Sequence, residues 1–312
     1  MKNEWRGCPI ITGPGGQPGF PPRIVVAVKA LACELPCRLG IPLSRFSREE
    51  LKRHVLEQGI VASISGITIW RWLNADAIKP WQYRSWIFPR DHQFAVKAGP
   101  VLDLYQRQWK GIPLGPTDFV ISTDEKTSIQ ARKRIAKTLP PRPGLAMRVE
   151  HEYKRKGALA YLAAWDVHRA KIFGRCERKS GIKPFERLVD QVMRQEPYCS
   201  ARRVFWIMDN GSSHRGDASD ERLIKRWKNM IPVHTPIHAS WLNQIEIYFS
   251  IVQRKVLTPG DFESLSELES RILKFQDYYE TVAKPFEWNF TREGLDNLMA
   301  KLVAKSALQL AA

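Results

Sequence analysis

Two aspartates stand where short apolar segments end. Asp124 closes the segment Asp118–Asp124, and Asp209 directly follows the apolar run Val204–Met208. Runs of this kind predict strands that are buried on both faces, and residues 210–213 predict a turn directly after the second one. A carboxylate at the end of a buried strand is held rigidly while its oxygens reach solvent or a ligand.

A third acid, Glu246, is predicted to lie on a helix. The apolar residues around it recur at intervals of three and four, which predicts one buried helical stripe. They are Leu242, Ile245, Phe249, Val252 and Val256. Glu246 falls at the edge of this stripe, between core and cleft. A lone glutamate in such a place is more often a plain surface residue, so its interpretation depends on the two aspartates.

Two aspartates at strand ends and a glutamate on a later helix are typical of a site for hard divalent cations. Mg²⁺ takes oxygen ligands in octahedral geometry and completes its shell with waters and phosphate oxygens. Two such ions about 4 Å apart can activate an attacking water or hydroxyl and stabilise the leaving oxygen of a phosphodiester. We therefore interpret Asp124, Asp209 and Glu246 as catalytic metal ligands for Mg²⁺, with Mn²⁺ as a substitute.

Three ordered motifs contain these acids. The first is Ser122–Thr127, the second is Asp209–His214, and the third joins His234–Pro236 to Ser240–Glu246; Asp209 and Glu246 are 37 positions apart. With these motifs the chain resembles the DDE transposases of the bacterial insertion-sequence branch of the mariner superfamily. The resemblance extends from about Gly16 onward, and its third motif is the most specific.

This resemblance implies a fold and an activity. The expected fold class is α/β, with a ribonuclease-H-like catalytic domain preceded by an all-α helix-turn-helix DNA-binding domain. The expected enzyme is a DNA transposase that cleaves the ends of its element and transfers them into target DNA by two-metal chemistry. Its partners would be double-stranded DNA, as inverted-repeat ends and TA-containing targets, and a second copy of the chain in a homodimer on DNA.

The bulk composition agrees with a polyanionic partner. Lys and Arg number 49 against 32 Asp and Glu, so the formal net charge is +17. No apolar run approaches the roughly 20 residues that a membrane span needs, and no signal peptide is evident. We expect a cytoplasmic protein with reduced, scattered cysteines and no membrane contact.

The first part of the chain predicts a linker and a small helical domain. Residues 1–22 are rich in Gly and Pro and predict a flexible linker. Residues 23–113 are assigned to the helix-turn-helix domain and a connector. The capping box Ser47–Glu50 predicts the start of one helix, and the next helix carries Thr68 and Arg71 as candidate DNA contacts. A three-helix domain with a purely structural role remains the alternative.

The second part, residues 114–312, is assigned to the catalytic domain and C-terminal helices. Residues 118–122 and 127–131 are predicted to be paired strands. Residues 159–165 and 171–176 predict a hairpin. After it we predict a helix near Phe185–Met193, then strand 204–208, helix 219–229, strand 231–235 and the Glu246 helix. Residues 264–283 and 291–312 predict two closing helices.

Further residues are assigned to DNA contact or support. The basic segment 132–156 interrupts the catalytic domain beside Asp124, and DNA passing the metal site would need such charge. Its members assigned to DNA binding are Arg132, Lys133, Arg134 and Arg155. His214 is interpreted as a phosphate contact or an orienting group for the Asp209 loop, or equally as a helix cap. Asn243, one turn before Glu246, would hydrogen-bond the substrate or steady the third ligand.

Two other functions compete with this interpretation. A non-catalytic DNA-binding protein derived from a transposase would fit a chain in which so little precedes the Gly/Pro-rich linker, but the three intact acids argue against it. A ribonuclease or other nuclease on the same fold would not need the predicted helix-turn-helix domain.

Overall fold

The structure, a computed structural model, describes residues 20–83, 91–209 and 217–310, with the backbone alone at 217 and 304–310. Its contacts group the chain into two compact units, Met1–Ile87 and Phe88–Ala312. The division falls about 25 residues before the predicted boundary at residue 113. Residues of the predicted connector form helix α4, Phe94–Tyr105, whose Phe94, Val101 and Leu102 are buried in the core of the second unit.

Within residues 20–83, the first unit contains three short α-helices. They are α1 (Pro22–Cys33), α2 (Arg48–Glu57) and α3 (Gly66–Ala75). Their inward residues Val28, Leu51, Val55, Ile69 and Leu73 share one core cluster in which each is fully buried. The unit is therefore a three-helix core, which does not by itself show a helix-turn-helix that reads DNA.

Caps define two of these helix starts. Glu50 N donates to Ser47 Oγ at 3.3 Å and Ser47 N donates to Glu50 Oε2 at 2.7 Å, so both bonds of the predicted capping box are present. Helix α1 begins at Pro22, because the fixed φ of proline suits a first helical residue. Phe20 packs edge-on against Trp72. Residues 20–22 thus belong to the folded unit rather than to the predicted linker, whose residues 1–19 lie outside the described part of the chain.

The second unit is built around a mixed five-stranded sheet. A two-stranded hairpin, β1 (Gln108–Trp109) and β2 (Ile112–Pro113), precedes it. The sheet strands are β3 (Asp118–Arg134), β4 (Tyr153–Asp166), β5 (Lys171–Glu177), β6 (Arg203–Met208) and β7 (Met230–His234), in the order β5-β4-β3-β6-β7. β3, β4 and β5 are antiparallel neighbours, whereas β6 and β7 run parallel to β3.

The pairing of residues 118–122 with 127–131 was predicted wrongly. The two segments form one continuous strand, β3, and its second half pairs with β4 instead. The basic segment 132–156 accordingly begins and ends in the far arms of the β3–β4 hairpin. Local periodicity did not show this, because the partner that extends β3 lies about 30 residues away in sequence.

Helices cover both faces of the sheet. α5 (Ile182–Met193) and α6 (Asp217–Arg226) pack against one face, where Val204, Trp206 and Met208 point. α4, α7 (Ile245–Val252), α8 (Leu265–Glu280) and α9 (Arg292–Leu310) contribute to the core on the other face, where Phe205 and Ile207 point. The alternation along β6 follows from the two-residue side-chain period of a strand. Within the described residues, no helix combines the length and apolar character needed to cross a bilayer.

Helix α7 begins later than its apolar stripe. Leu242 closes a short 3₁₀ turn, Ser240–Leu242, and Asn243 is extended before α7 starts at Ile245. Every residue of the predicted stripe is nevertheless buried. The stripe therefore identified the face that packs against the sheet, although not the first residue of the helix.

Candidate active site

Asp124 lies on β3 and faces the layer that contains α7. Val120 and Ser122 precede it at two-residue intervals; Val120 belongs to the core on that face, and Ser122 bonds directly to the start of α7. The Asp124 side chain is 8% exposed, and its Oδ1 accepts a 2.7 Å hydrogen bond from Glu125 N. Since side chains alternate along a strand, the neighbouring Glu125 belongs to the opposite face.

Asp209 is placed beside Asp124 by the sheet. β3 and β6 are parallel, with Ser122 opposite Ile207, so continuing each chain by two residues reaches Asp124 and Asp209. Adjacent strands lie about 5 Å apart, and both acids continue the face on which Ser122 and Ile207 lie. The carboxyl end of β6 thus brings the second aspartate to the first.

Glu246 comes from the first turn of α7, on the same side of the sheet. It is half-buried, while the neighbouring Ile245 and Phe249 are inserted in the core. The amino end of a helix favours a negative charge. Strand β3, strand β6 and helix α7 therefore each direct one acid toward a common edge.

The three acids influence one another electrostatically. Burial, as the largest cause, and the negative charges of Asp209 and Glu246 together raise the pKa of Asp124 to about 8, against the lowering effect of the hydrogen bond from Glu125 N. Burial also raises the pKa of Glu246, with Lys126 opposing the rise and Asp209 adding to it. Neighbouring carboxylates repel one another when they are ionised, and a bound cation relieves this repulsion.

The chemistry of these donors fits a hard divalent cation, because all three supply carboxylate oxygens. Across residues 20–83, 91–209 and 217–310, no group of three or more His, Cys, Asp or Glu side chains is arranged to hold a metal ion. The acids thus fit such an ion in type and charge without forming a closed set of ligands.

A buried polar network ties the start of α7 to β3. Ser122 Oγ donates to Asn243 Oδ1, and Asn243 Nδ2 donates to Thr123 O at 2.8 Å. Ile245 N donates to Ser122 Oγ at 2.8 Å. Asn243 is 1% exposed, so its contacts are with the fold rather than with solvent. It fixes the turn before Glu246 relative to the strand that carries Asp124.

Tyr105 extends this network from α4. Its hydroxyl donates to Leu242 O at 2.7 Å and accepts from Gln244 N at 3.2 Å. The residues on either side of Asn243 are thereby fixed as well. The sequence does not single out Tyr105, because its hydrogen-bond partners lie more than 130 residues away in the chain.

His234 was also missed, although it opens the third motif. It ends β7 opposite Met208, its Nε2 lies 3.0 Å from Asp220 Oδ2, and its Nδ1 lies 3.4 Å from the carbonyl oxygen of Asp209. Asp220 raises the pKa of His234 above its ordinary value, against the opposing effect of burial. His234 thus contacts the backbone of the second aspartate. His214, the histidine of the second motif, lies outside the described residues.

The residues assigned to DNA contact occupy different environments. On α3, Arg71 is exposed, whereas the Thr68 hydroxyl is 2.8 Å from the capping hydroxyl of Ser65. On the β3–β4 hairpin, Arg132 and Arg155 are exposed and face each other in register, and Arg132 stacks on the ring of Tyr153. These two arginines remain accessible to a polyanion.

The other two basic residues of the hairpin have intramolecular partners. Lys133 forms a 2.5 Å ion pair with Glu263. The guanidinium of Arg134 donates to Glu150 O at 2.6 Å and to Gly260 O at 3.2 Å. They fasten the hairpin to the loop before α8.

Sequence comparison matches the part of the chain that carries the three acids. Residues 120–269 match the model of a family described as DDE superfamily endonuclease. This range contains Asp124, Asp209 and Glu246. No curated protein matches the chain.

Structural comparison finds the fold in transposase complexes. A Mos1 transposase paired-end complex with the left transposon end aligns with a TM-score of 0.50 and 12% identity, over 86% of this chain and 75% of that one. A pre-cleavage Mos1 transpososome aligns with a TM-score of 0.50 and 14% identity, over 86% and 75% of the two chains. At these identities the likeness shows the fold alone.

Proposed function

We propose that the chain is a DNA transposase of the bacterial insertion-sequence branch of the mariner superfamily, and that Asp124, Asp209 and Glu246 are its DDE triad. The observation that carries this proposal is the convergence of the three carboxylates, from β3, β6 and α7, on one edge of the sheet, where the pKa values of Asp124 and Glu246 are raised. The endonuclease family match over residues 120–269 supports it. The second unit is then a ribonuclease-H-like catalytic domain.

The three acids would hold Mg²⁺, or Mn²⁺ as a substitute, beside the DNA strand to be cut. Two such ions supply Lewis-acid chemistry, in which the nucleophile is activated and the leaving oxygen stabilised. The chain contributes the positions of the ligands: Asn243 holds the α7 start against β3, and His234 contacts the Asp209 backbone. Water would be the first nucleophile, and the freed 3′-hydroxyl would then attack target DNA.

Double-stranded DNA would be bound by both units. The helix α3 with Arg71 would serve as the reading helix of a helix-turn-helix. The hairpin residues Arg132 and Arg155, in the far arms of the β3–β4 hairpin, would neutralise DNA phosphates at a distance from the catalytic edge. The DNA substrates of the protein would be inverted-repeat ends and TA-containing targets, and the protein would assemble on DNA as a homodimer.

A nicking assay on supercoiled plasmid tests the function. The purified full chain should nick the plasmid with Mg²⁺ or Mn²⁺ and stop when EDTA is added. Asp209→Asn should abolish nicking while DNA binding persists, because the amide removes the charge that a cation requires. Asp277→Asn, at an exposed position on α8, is the matched control and should cut at the wild-type rate.

Equal cleavage by wild-type protein and Asp209→Asn would remove Asp209 from the site. The substrates should include inverted repeats from the DNA that flanks the gene. If the protein binds these substrates but cuts none of them, with Mg²⁺ or with Mn²⁺, it is the non-catalytic DNA-binding protein instead.

A further inference from the structure

Lys126 follows Asp124 at a two-residue interval on β3, so both side chains leave the strand on the same face. In the antiparallel ladder Lys126 lies opposite Tyr161. Tyr161 packs against Tyr248 and Phe249 of α7, and directly opposite residues of an antiparallel pair share a face. Lys126 therefore points toward the layer that carries Glu246.

A β-bulge fixes this orientation. The register shifts between Lys126 and Ile129, and Ser128 has a φ of +57°. Three steps on β3 match two steps on β4, from Tyr161 to Leu159, so one residue is inserted. Before the bulge the even-numbered residues face α7; after it Ile129 and Ala131 join the same core. Lys126 is the last residue of the regular ladder before the hairpin bends.

The charge of Lys126 reaches the carboxylate site. Its ammonium lowers the pKa of Glu246 against the raising effects of burial and Asp209. Among the described residues, Lys126 forms no ion pair within 4 Å, with Glu246 or with any other acid. It is half-buried, on a stem about 6 Å long that can turn toward a ligand. Lys126 is thus a cationic side chain that lies near the acids and, in the described part of the chain, forms no ion pair with them.

We propose that Lys126 is a substrate-binding residue, whose ammonium contacts a non-bridging oxygen of the DNA phosphate held at the edge formed by Asp124, Asp209 and Glu246. The proposal rests on the proposed function. A phosphodiester that approaches three carboxylates is repelled, and a positive side chain on the same face of the strand reduces that repulsion. Lysine binds phosphate as a compact point charge and needs no fixed planar geometry.

Steady-state nicking of supercoiled plasmid provides the first test. Lys126→Ala should lower kcat/KM about tenfold or more, the effect of losing one hydrogen bond to a charged group. Lys126→Arg should retain most of the activity, because it keeps the charge. Lys179→Ala removes the same charge from an exposed position after β5 and should match wild type. If Lys126→Ala also matches wild type while Asp124→Asn is inactive, the proposal is overturned and the proposed function stands.

DNA binding in EDTA provides a second test that needs no catalysis. A fluorescent 30-base-pair duplex is titrated with Glu246→Gln and with Glu246→Gln/Lys126→Ala. A phosphate contact predicts about fivefold weaker binding by the double variant. If Lys126 only balances the charge of Glu246, the two variants bind DNA equally and the proposal is wrong. This outcome does not depend on whether the wild-type protein cuts DNA. Equal melting temperatures confirm that both variants are folded.

Discussion

At the scale of single residues, Asn243 determines where the third acid stands. Its carboxamide uses Oδ1 to accept from Ser122 and Nδ2 to donate to Thr123 O, in a place with 1% exposure. Asn243→Ala leaves buried polar groups without partners, so the free energy of unfolding should fall by about 2 kcal/mol. The cleavage rate should fall as well, at temperatures where the variant is still folded, because the start of α7, which carries Glu246, is no longer held against β3.

Urea denaturation and plasmid nicking measure these two effects separately. Asn243→Asp is the sharper variant, because it keeps the shape and places an oxygen against Thr123 O. Wild-type nicking by a folded Asn243→Ala protein would show that α7 is positioned by its apolar face alone.

Asp118, at the opposite end of β3, provides a pH-dependent contribution to stability. Its carboxylate is 2% exposed and accepts from Arg202 and Arg203, each at 2.8 Å to Oδ2. The side-chain hydrogen bond from Arg203 is the main cause that holds its pKa well below the ordinary value. A carboxyl with a lowered folded pKa stabilises the fold above its unfolded pKa, about 4, and this stabilisation is lost as pH falls toward the folded pKa.

Asp118→Asn should therefore lower the free energy of unfolding by about 2 kcal/mol at pH 7, the order expected when hydrogen bonds between a buried carboxylate and charged donors are lost. The gap between wild type and variant should narrow below about pH 4. Urea unfolding of both proteins at pH 7 and pH 3 measures the gap, and comparison of the two cancels the titration of other acids. A gap that stays constant with pH would mean that the arginines contribute through packing alone.

At the scale of elements, the sequence predicted what burial imposes locally. Val204–Met208 forms a strand because its side chains are buried on both faces, and the Leu242–Val256 stripe packs because its spacing follows a helical turn. The length of β3 and the start of α7 were not predictable in this way. Both depend on partners distant in sequence: β4 for the hairpin, and Ser122 with Asn243 for the helix start.

The residues of the candidate site also fall into those that a local sequence pattern predicts and those that it does not. The three acids were recognisable because each follows or borders an apolar segment with a clear period. Tyr105, His234 and Lys126 were not, because a single polar side chain has no period, and its role comes from the fold that surrounds it. Residue type also could not separate Arg132 from Arg134, which differ in their partners rather than in their chemistry.

At the scale of the whole molecule, the charge of +17 predicts DNA binding that is strongly salt-dependent, and the hairpin cations differ in whether they are exposed or paired within the fold. Arg132 and Arg155 are exposed and adjacent in register, whereas Lys133 is paired with Glu263 and Arg134 with main-chain carbonyls. The slope of log affinity against log salt should decrease by roughly 0.9 for each phosphate contact removed.

Arg132→Ala/Arg155→Ala should therefore flatten the salt dependence by up to two such steps, while Lys133→Ala, the matched control on the same strand, should leave it nearly unchanged. Fluorescence anisotropy with a 30-base-pair duplex between about 50 and 200 mM salt gives the slopes. Arg134→Ala should act differently: it releases the hairpin from the loop at Gly260, so its first effect is a lower melting temperature. If Lys133→Ala flattens the slope as much as the double variant does, the ion pair between Lys133 and Glu263 opens when DNA binds. Lys133 would then contact DNA as well, and the paired and exposed basic residues of the hairpin would not have separate roles.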